Sequence, residues 1–310
     1  MMEVFTMEAR FFMIREREIK QASNGSLYAN FVLQQQHTLL SARLWDITDD
    51  QQQKFSPKSV VKVEGTLETF RSKQMLTIKK IRLATEDDHI NRTELISKPG
   101  LSREDLWHEL RMMMDEIQSP TLQQVVKEVY SNRAIREKVT TYPAAKTYHH
   151  AYYAGLLEQI VELMSLALQV LPLYKTINRD TVLAACLLGD IGKIQALHDP
   201  LTPEYTQAGE LIGQVILSIE MINQAVHQQG IDQTDPQLMQ VKHTILGQYD
   251  QTEETSVKPK TAEAILYFYL KRMNTELRAL EQVEEGSFPY VPLFKRNMYV
   301  NANEEGESEE

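Results

Sequence analysis

The nine residues Thr38-Leu39-Leu40-Ser41-Ala42-Arg43-Leu44-Trp45-Asp46 alternate in character. Leu40, Ala42 and Leu44 fall on one side, Ser41, Arg43 and Trp45 on the other. A period of two is the mark of a strand with one buried face, so the first set points inward and the second outward. Upstream lie two more strand-like runs, Ala9–Lys20 and Leu27–Gln34, separated by the turn cluster Ser23-Asn24-Gly25-Ser26. Downstream, Asp49–Phe55 is polar and reads as a short helix, and Val60–Phe70 and Gln74–Ala84 complete five strands.

Five strands with a short helix between the third and fourth is the element order of an OB-fold, a partly open barrel. Beyond it the pattern changes. Thr85-Glu86-Asp87-Asp88 and Lys98-Pro99-Gly100 bracket a linker, and from Ser102 to about Glu284 the sequence reads as helices. Ser102 with Asp105 resembles a capping box, and Ser119-Pro120 places proline at a first helical position. Ala151–Leu171 is a long amphipathic run, and Asn178 caps a run to Leu188. Thr202-Pro203 and Asp235-Pro236 read as further starts, and Thr261 as the cap of a last long helix. The fold class is therefore α+β and multidomain. The barrel takes residues 1–85, a linker 86–101, the helical domain 102–300, and an acidic tail with the composition of disorder 301–310.

The net charge of −10 over 310 residues argues against general affinity for nucleic acid. The charge is unevenly spread, with net +1 in residues 1–90 and −11 in the remainder, which leaves the barrel as the better partner for a polyanion. The lone cysteine, Cys186, lies in the apolar run Leu183–Leu188 and reads as a small core residue. No apolar run approaches the roughly 18 residues that span a bilayer, and Met1–Arg10 lacks the apolar core of a signal peptide. The expectation is a cytoplasmic protein with no membrane partner.

Leu183–Lys193, LAACLLGDIGK, resembles the core of the HD superfamily, L-L-H-D-I-G-K. Longer stretches are similar to one bacterial family: His149-His150-Ala151-Tyr152 with Gly155-Leu156-Leu157-Glu158, Leu171–Asp180 and Pro203-Glu204-Tyr205-Thr206. In the N-terminal part, Ala22-Ser23-Asn24-Gly25, Ala42–Asp46 and Val61–Gly65 also fit. Together they resemble the YhaM family of 3′-5′ exoribonucleases, which carry an OB-fold before an HD domain. The resemblance implies a divalent metal, typically manganese, held by His and Asp so that a bound water becomes a hydroxide able to attack phosphorus. It also implies a homo-oligomer.

The positions that match the family's ligands are mostly altered. Gln159 follows Leu156-Leu157-Glu158 where the family has histidine, and Gly189 precedes Asp190 in place of the His-Asp pair. Gln214 follows Gly213 in place of a histidine, Gln248 and Tyr249 stand in the family's S-H-H-G stretch, and Leu270 falls in its I-D-N-L-D stretch. Of the expected ligands only Asp190 is retained, and Lys271 and Arg272 bring positive charge to the former cation site. The expectation is no metal and no cofactor, with manganese or another divalent ion only where other residues rebuild a site. Asp190 and Lys193 are then vestiges of the catalytic machinery, with Lys193 and Arg179 matching residues suited to phosphate.

OB-folds bind single strands by stacking bases on aromatics and tracking phosphates with cations. The candidates are Tyr28, Arg43, Trp45, Arg71, Lys73 and Lys79. Three functions follow. The first is a catalytically inactive or regulatory relative that binds single-stranded RNA or DNA, alone or with an active homologue. The second is an active exoribonuclease with a rearranged site, and the third a structural or assembly protein.

Overall fold

The computed structural model describes residues 3–36, 38–70, 73–248, 257–281, 283 and 285–301. The strands are β1 (Glu3–Gln21), β2 (Leu27–Gln35), β3 (Thr38–Leu44), β4 (Val60–Phe70) and β5 (Lys73–Leu83), with helix α1 (Asp49–Lys54) between β3 and β4. There follow α2 (Arg92–Ile96), α3 (Arg103–Met114), α4 (Pro120–Ser131), α5 (Arg133–Val139), α6 (Gly155–Val170), α7 (Arg179–Leu188), α8 (Lys193–Ala196), α9 (Gln207–Leu211), α10 (Gln214–Gln228), α11 (Pro236–Leu246) and α12 (Ala262–Leu280). A small hairpin of β6 (Tyr290–Val291) and β7 (Arg296–Asn297) closes the described chain.

The five strands form a closed barrel in the order β1-β2-β3-β5-β4. Closure depends on β1, whose first half pairs with β4 and whose second half pairs with β2. Its register shifts between Met7 and Arg10 and again between Ile14 and Glu16, where bulges bend the strand round the barrel. On β4 a shift falls at Glu64/Gly65, and a Cβ at Gly65 would lie 2.3 Å from the Thr77 carbonyl oxygen, so only glycine lets β4 and β5 approach there. Phe12, Ile14, Phe31, Leu33, Ala42, Leu44, Val61, Val63, Leu76 and Ile78 fill the interior. The alternation of β3 thus sorts as its sequence indicates: Ala42 and Leu44 are buried and Ser41 is exposed.

By contacts the chain divides into two units, Met1–Pro99 with Arg278–Glu310, and Gly100–Leu277. Residues 86–99, which the sequence assigned to a linker, carry α2, whose Ile96 is buried and which packs on β1 and β2. Residues 302–310 of the acidic tail lie outside the described residues.

In the second unit α7 is apolar nearly all round, and Thr181 to Leu188 are all buried. Such a helix must be enclosed by others, and α4, α6 and α11 surround it. Cys186 is part of this core, where burial pushes its thiol up to about 12. Gly155–Leu173 is long and apolar enough by length and composition to cross a membrane, which corrects the expectation that no apolar run approaches that length. Its Leu156, Leu157, Ile160, Leu163 and Met164 are fully buried in the helical core, which explains that composition. Asn178, Ser119, Ser102 and Asp235 cap their helices as their sequences indicate. Thr202-Pro203 starts no helix: Tyr205 bridges to Leu197, and Thr206 caps α9 instead.

Candidate functional site

Helix α7 ends at Gly189, and the turn that follows delivers Asp190 into the centre of the helical unit, where it is wholly buried. Two lysines meet it. Lys271 from α12 donates to Asp190 Oδ1 at 2.6 Å, and Lys193 from α8 stands 3.4 Å from the same oxygen. Each lysine has a second partner at a position where the family resemblance implies a metal ligand. Lys193 donates to Gln159 Oε1 at 2.7 Å, and Lys271 donates to Gln248 Oε1. The two amides therefore serve as acceptors for ammonium groups.

Burial alone would raise the Asp190 carboxyl, but the charges of Lys193 and Lys271 outweigh it and hold Asp190 well below the usual carboxylate range. Burial lowers Lys193 to about 8 against the pull of Asp190. His149 sits close enough to feel all three charges. Burial first, and then Lys193, hold it well below its ordinary value, so it is neutral.

The residues at this centre do not fit the family's ion. Asp190 Oδ1 is taken by an ammonium at hydrogen-bond distance, and the oxygens of Gln159 and Gln248 face lysines. A Cβ at Gly189 would lie 2.1 Å from the Tyr267 hydroxyl, so the phenol fills the space of the absent histidine side chain. Leu270 is a buried core residue, and Gln214 lines a cavity of about 230 Å3 with Lys193, Tyr205 and Gly213. Tyr249 lies outside the described residues. Arg179 is spent elsewhere, on Glu116.

His149 and His150 do not share a helix. They lie in the irregular segment before α6, with Tyr148 and His150 at positive φ. His150 meets Glu158 and Glu162 of α6, with the ligand atoms of all three within 4.8 Å of one another. The sequence signal was Glu158 and Glu162 at a spacing of four, which puts them on one helical face.

On the barrel, three of the predicted residues come together. Tyr28 and Trp45 rings are 4.9 Å apart, tilted at 42°. The Arg43 guanidinium lies 5.1 Å from the Tyr28 centroid and 5.0 Å from that of Trp45, and donates to Asn30 Oδ1 at 2.9 Å. Asn30 is the member that sequence reasoning missed, and its pairing with Arg43 across β2 and β3 accounts for the contact. Trp45 remains 45% exposed, enough to offer a ring to a ligand. Arg43 pairs with Thr77 in the parallel register of β3 and β5, so Lys79, exposed two residues on, continues the same outer face. Lys73 begins β5, and Arg71 lies outside the described residues.

No family model matches the chain. It is similar to the 3′-5′ exoribonuclease YhaM of Geobacillus sp. (strain WCH70), 30% identical over 272 residues that cover 86% of this chain and 83% of that protein. The protein of the same name from Oceanobacillus iheyensis is 29% identical, covering 93% and 94%. That from Listeria welshimeri is 28% identical, covering 90% and 88%. Among solved structures, an aspartyl tRNA synthetase from Entamoeba histolytica overlaps 54% of this chain and 41% of its own at 11% identity, and its TM-score of 0.19 carries no argument. Similarity along nearly the whole length, at this identity, makes the chain a member of the YhaM 3′-5′ exoribonuclease family.

Proposed function

We propose that this chain is a non-catalytic YhaM-family protein that binds single-stranded nucleic acid, RNA in the first instance, through an OB-fold barrel. The helical unit is then an HD domain that has given up metal-dependent phosphodiester hydrolysis. The observation that carries the reading is Lys271 on Asp190 at 2.6 Å, an internal ammonium where the family's chemistry needs a metal ion. The binding half rests on Tyr28, Arg43 and Trp45, an aromatic pair with a guanidinium beside it on an outer face that Lys79 extends. Aromatic faces stack on any base, and the cations follow the phosphates. A cytoplasmic homo-oligomer, or a complex with an active relative, is part of the same proposal.

The test is a pair of measurements on one sample, with an end-labelled single-stranded RNA. Trp45→Ala is expected to weaken binding about 5- to 150-fold, the equivalent of about 1–3 kcal/mol for one stacked base. Added manganese is expected to yield no cleavage. Cleavage that depends on manganese and disappears in Asp190→Ala would establish the alternative of a rearranged active site. Binding to neither RNA nor DNA, with strong self-association, would favour an assembly role.

A further inference from the structure

We propose a cation site in the helical unit that is separate from Asp190: His150, Glu158, Glu162 and Asn274 hold one divalent transition-metal ion, with Zn2+ the best match to the donor set. The site lies next to Gln159 along α6 but faces a different set of residues.

The geometry is close to what an ion requires. Bonds of about 2.1 Å in tetrahedral arrangement put ligand atoms about 3.4 Å apart. Here the ligand atoms of His150, Glu158 and Glu162 are all within 4.8 Å of one another, and His150 Nε2 is 2.9 Å from Glu162 Oε2. Adjustments of about an ångström or less bring the three to bonding distance. Asn274 supplies the fourth atom. Its Nδ2 donates to Glu162 Oε2 at 2.6 Å, while its Oδ1 is buried without a hydrogen-bond partner. Rotating that amide turns the unpartnered oxygen toward the cluster and removes an amide donor that an ion would make redundant. His150 and Asn274 are both more than nine-tenths buried, so the site is built into the structure.

The surrounding chemistry agrees. The Tyr152 hydroxyl donates to Glu158 Oε2 and orients that carboxylate, as partners of metal ligands do. Two carboxylates held this close in a largely enclosed place repel each other, and a shared dication reverses the sign of that term. One imidazole with oxygen donors suits a borderline ion.

The ion would also have a structural consequence. His150 belongs to the segment between α5 and α6, in which Tyr148, His150 and Ala154 take left-handed φ values of 72°, 45° and 63°. Non-glycine residues adopt these only at an energetic cost. An ion bridging His150 to α6 and α12 pins this segment, and with it the neighbouring His149.

The experiment uses the full chain, stripped with a chelator, incubated with ZnCl2 and passed into metal-free buffer. Elemental analysis is expected to find one zinc per chain in the wild type and in Asp190→Asn, and less than about a tenth of that in Glu162→Gln and Glu158→Gln. Circular dichroism confirms that each variant is folded. Zinc is also expected to raise the melting temperature of the wild type but not of Glu162→Gln. A folded wild type that retains no zinc would overturn the proposal. So would zinc kept by Glu162→Gln and lost from Asp190→Asn, which would place the ion at Asp190.

Discussion

The barrel and the helical unit each gather cations around a focus, and they use them in opposite ways. On the barrel Arg43 lies against Tyr28 and a half-exposed Trp45, with one hydrogen bond to Asn30. In the helical unit Lys193 and Lys271 are turned inward on one carboxylate and two amides. A part-exposed cation beside an aromatic can exchange its remaining solvent for a ligand at little cost. A buried ammonium has already lost its water, and its partners are what keep the charge tolerable. The lesson is that positive charge marks a binding surface only where it remains exchangeable. At Asp190 it is held inward by one carboxylate and two amides.

The contrast can be broken at several points. The largest effect is expected for Lys271→Met, which leaves a wholly buried carboxylate without its closest partner and should cost about 3–5 kcal/mol in urea unfolding. The double variant with Asp190→Asn should recover a good part of that loss, and no recovery would mean that the pair does not act as a unit.

The next test is pH. The folded Lys193 titrates near 8 and the unfolded chain's lysines near 10.5, so the unfolded state binds more protons between those values. Stability therefore carries the full penalty of the charged lysine below pH 8 and gains as pH rises through the window. Subtracting the profile of Lys193→Met should isolate a rise of at most about 3–4 kcal/mol. A flat difference would show that Lys193 is not a strained, buried cation.

Gly189→Ala tests the space beside Asp190. The added methyl meets the Tyr267 hydroxyl, and overpacking of this kind costs about 1–3 kcal/mol. Gly189→Ala with Tyr267→Phe should be better tolerated. The smallest effect belongs to the barrel. Arg43→Gln should weaken RNA binding about fivefold, or about 1 kcal/mol, and should flatten its dependence on salt while leaving the melting temperature nearly unchanged.

Much of this was legible in the sequence where the cause is local. The alternation of Leu40 to Trp45 reports one strand's two faces, and Ser102, Ser119, Asn178 and Asp235 are caps that act within a few residues. The first strand was read as Ala9–Lys20, but β1 begins at Glu3, because its early residues owe their conformation to β4, some sixty positions away. Thr202-Pro203 had the chemistry of a helix start and lost to the bridge between Leu197 and Tyr205. At the centre, the residue types that differ from those the family resemblance implies were visible as letters. The arrangement they form was not, since Lys271 and Asp190 are 81 residues apart. The convergence of His150 with Asn274 through Glu162 was hidden for the same reason.

Tyr267 beside Gly189 has a consequence for the history open to this chain. A histidine restored at position 189 would collide with the phenol, and a tyrosine trimmed first would leave a hole where nothing yet fits. Lys271 occupies Asp190 Oδ1, and changing it alone takes away the carboxylate's closest partner. Each single step back toward the His-Asp pair that the family resemblance implies is therefore downhill in stability, and only their combination leads anywhere. On the proposed reading the centre behaves as a ratchet, its present contacts opposing each single step toward an ion site.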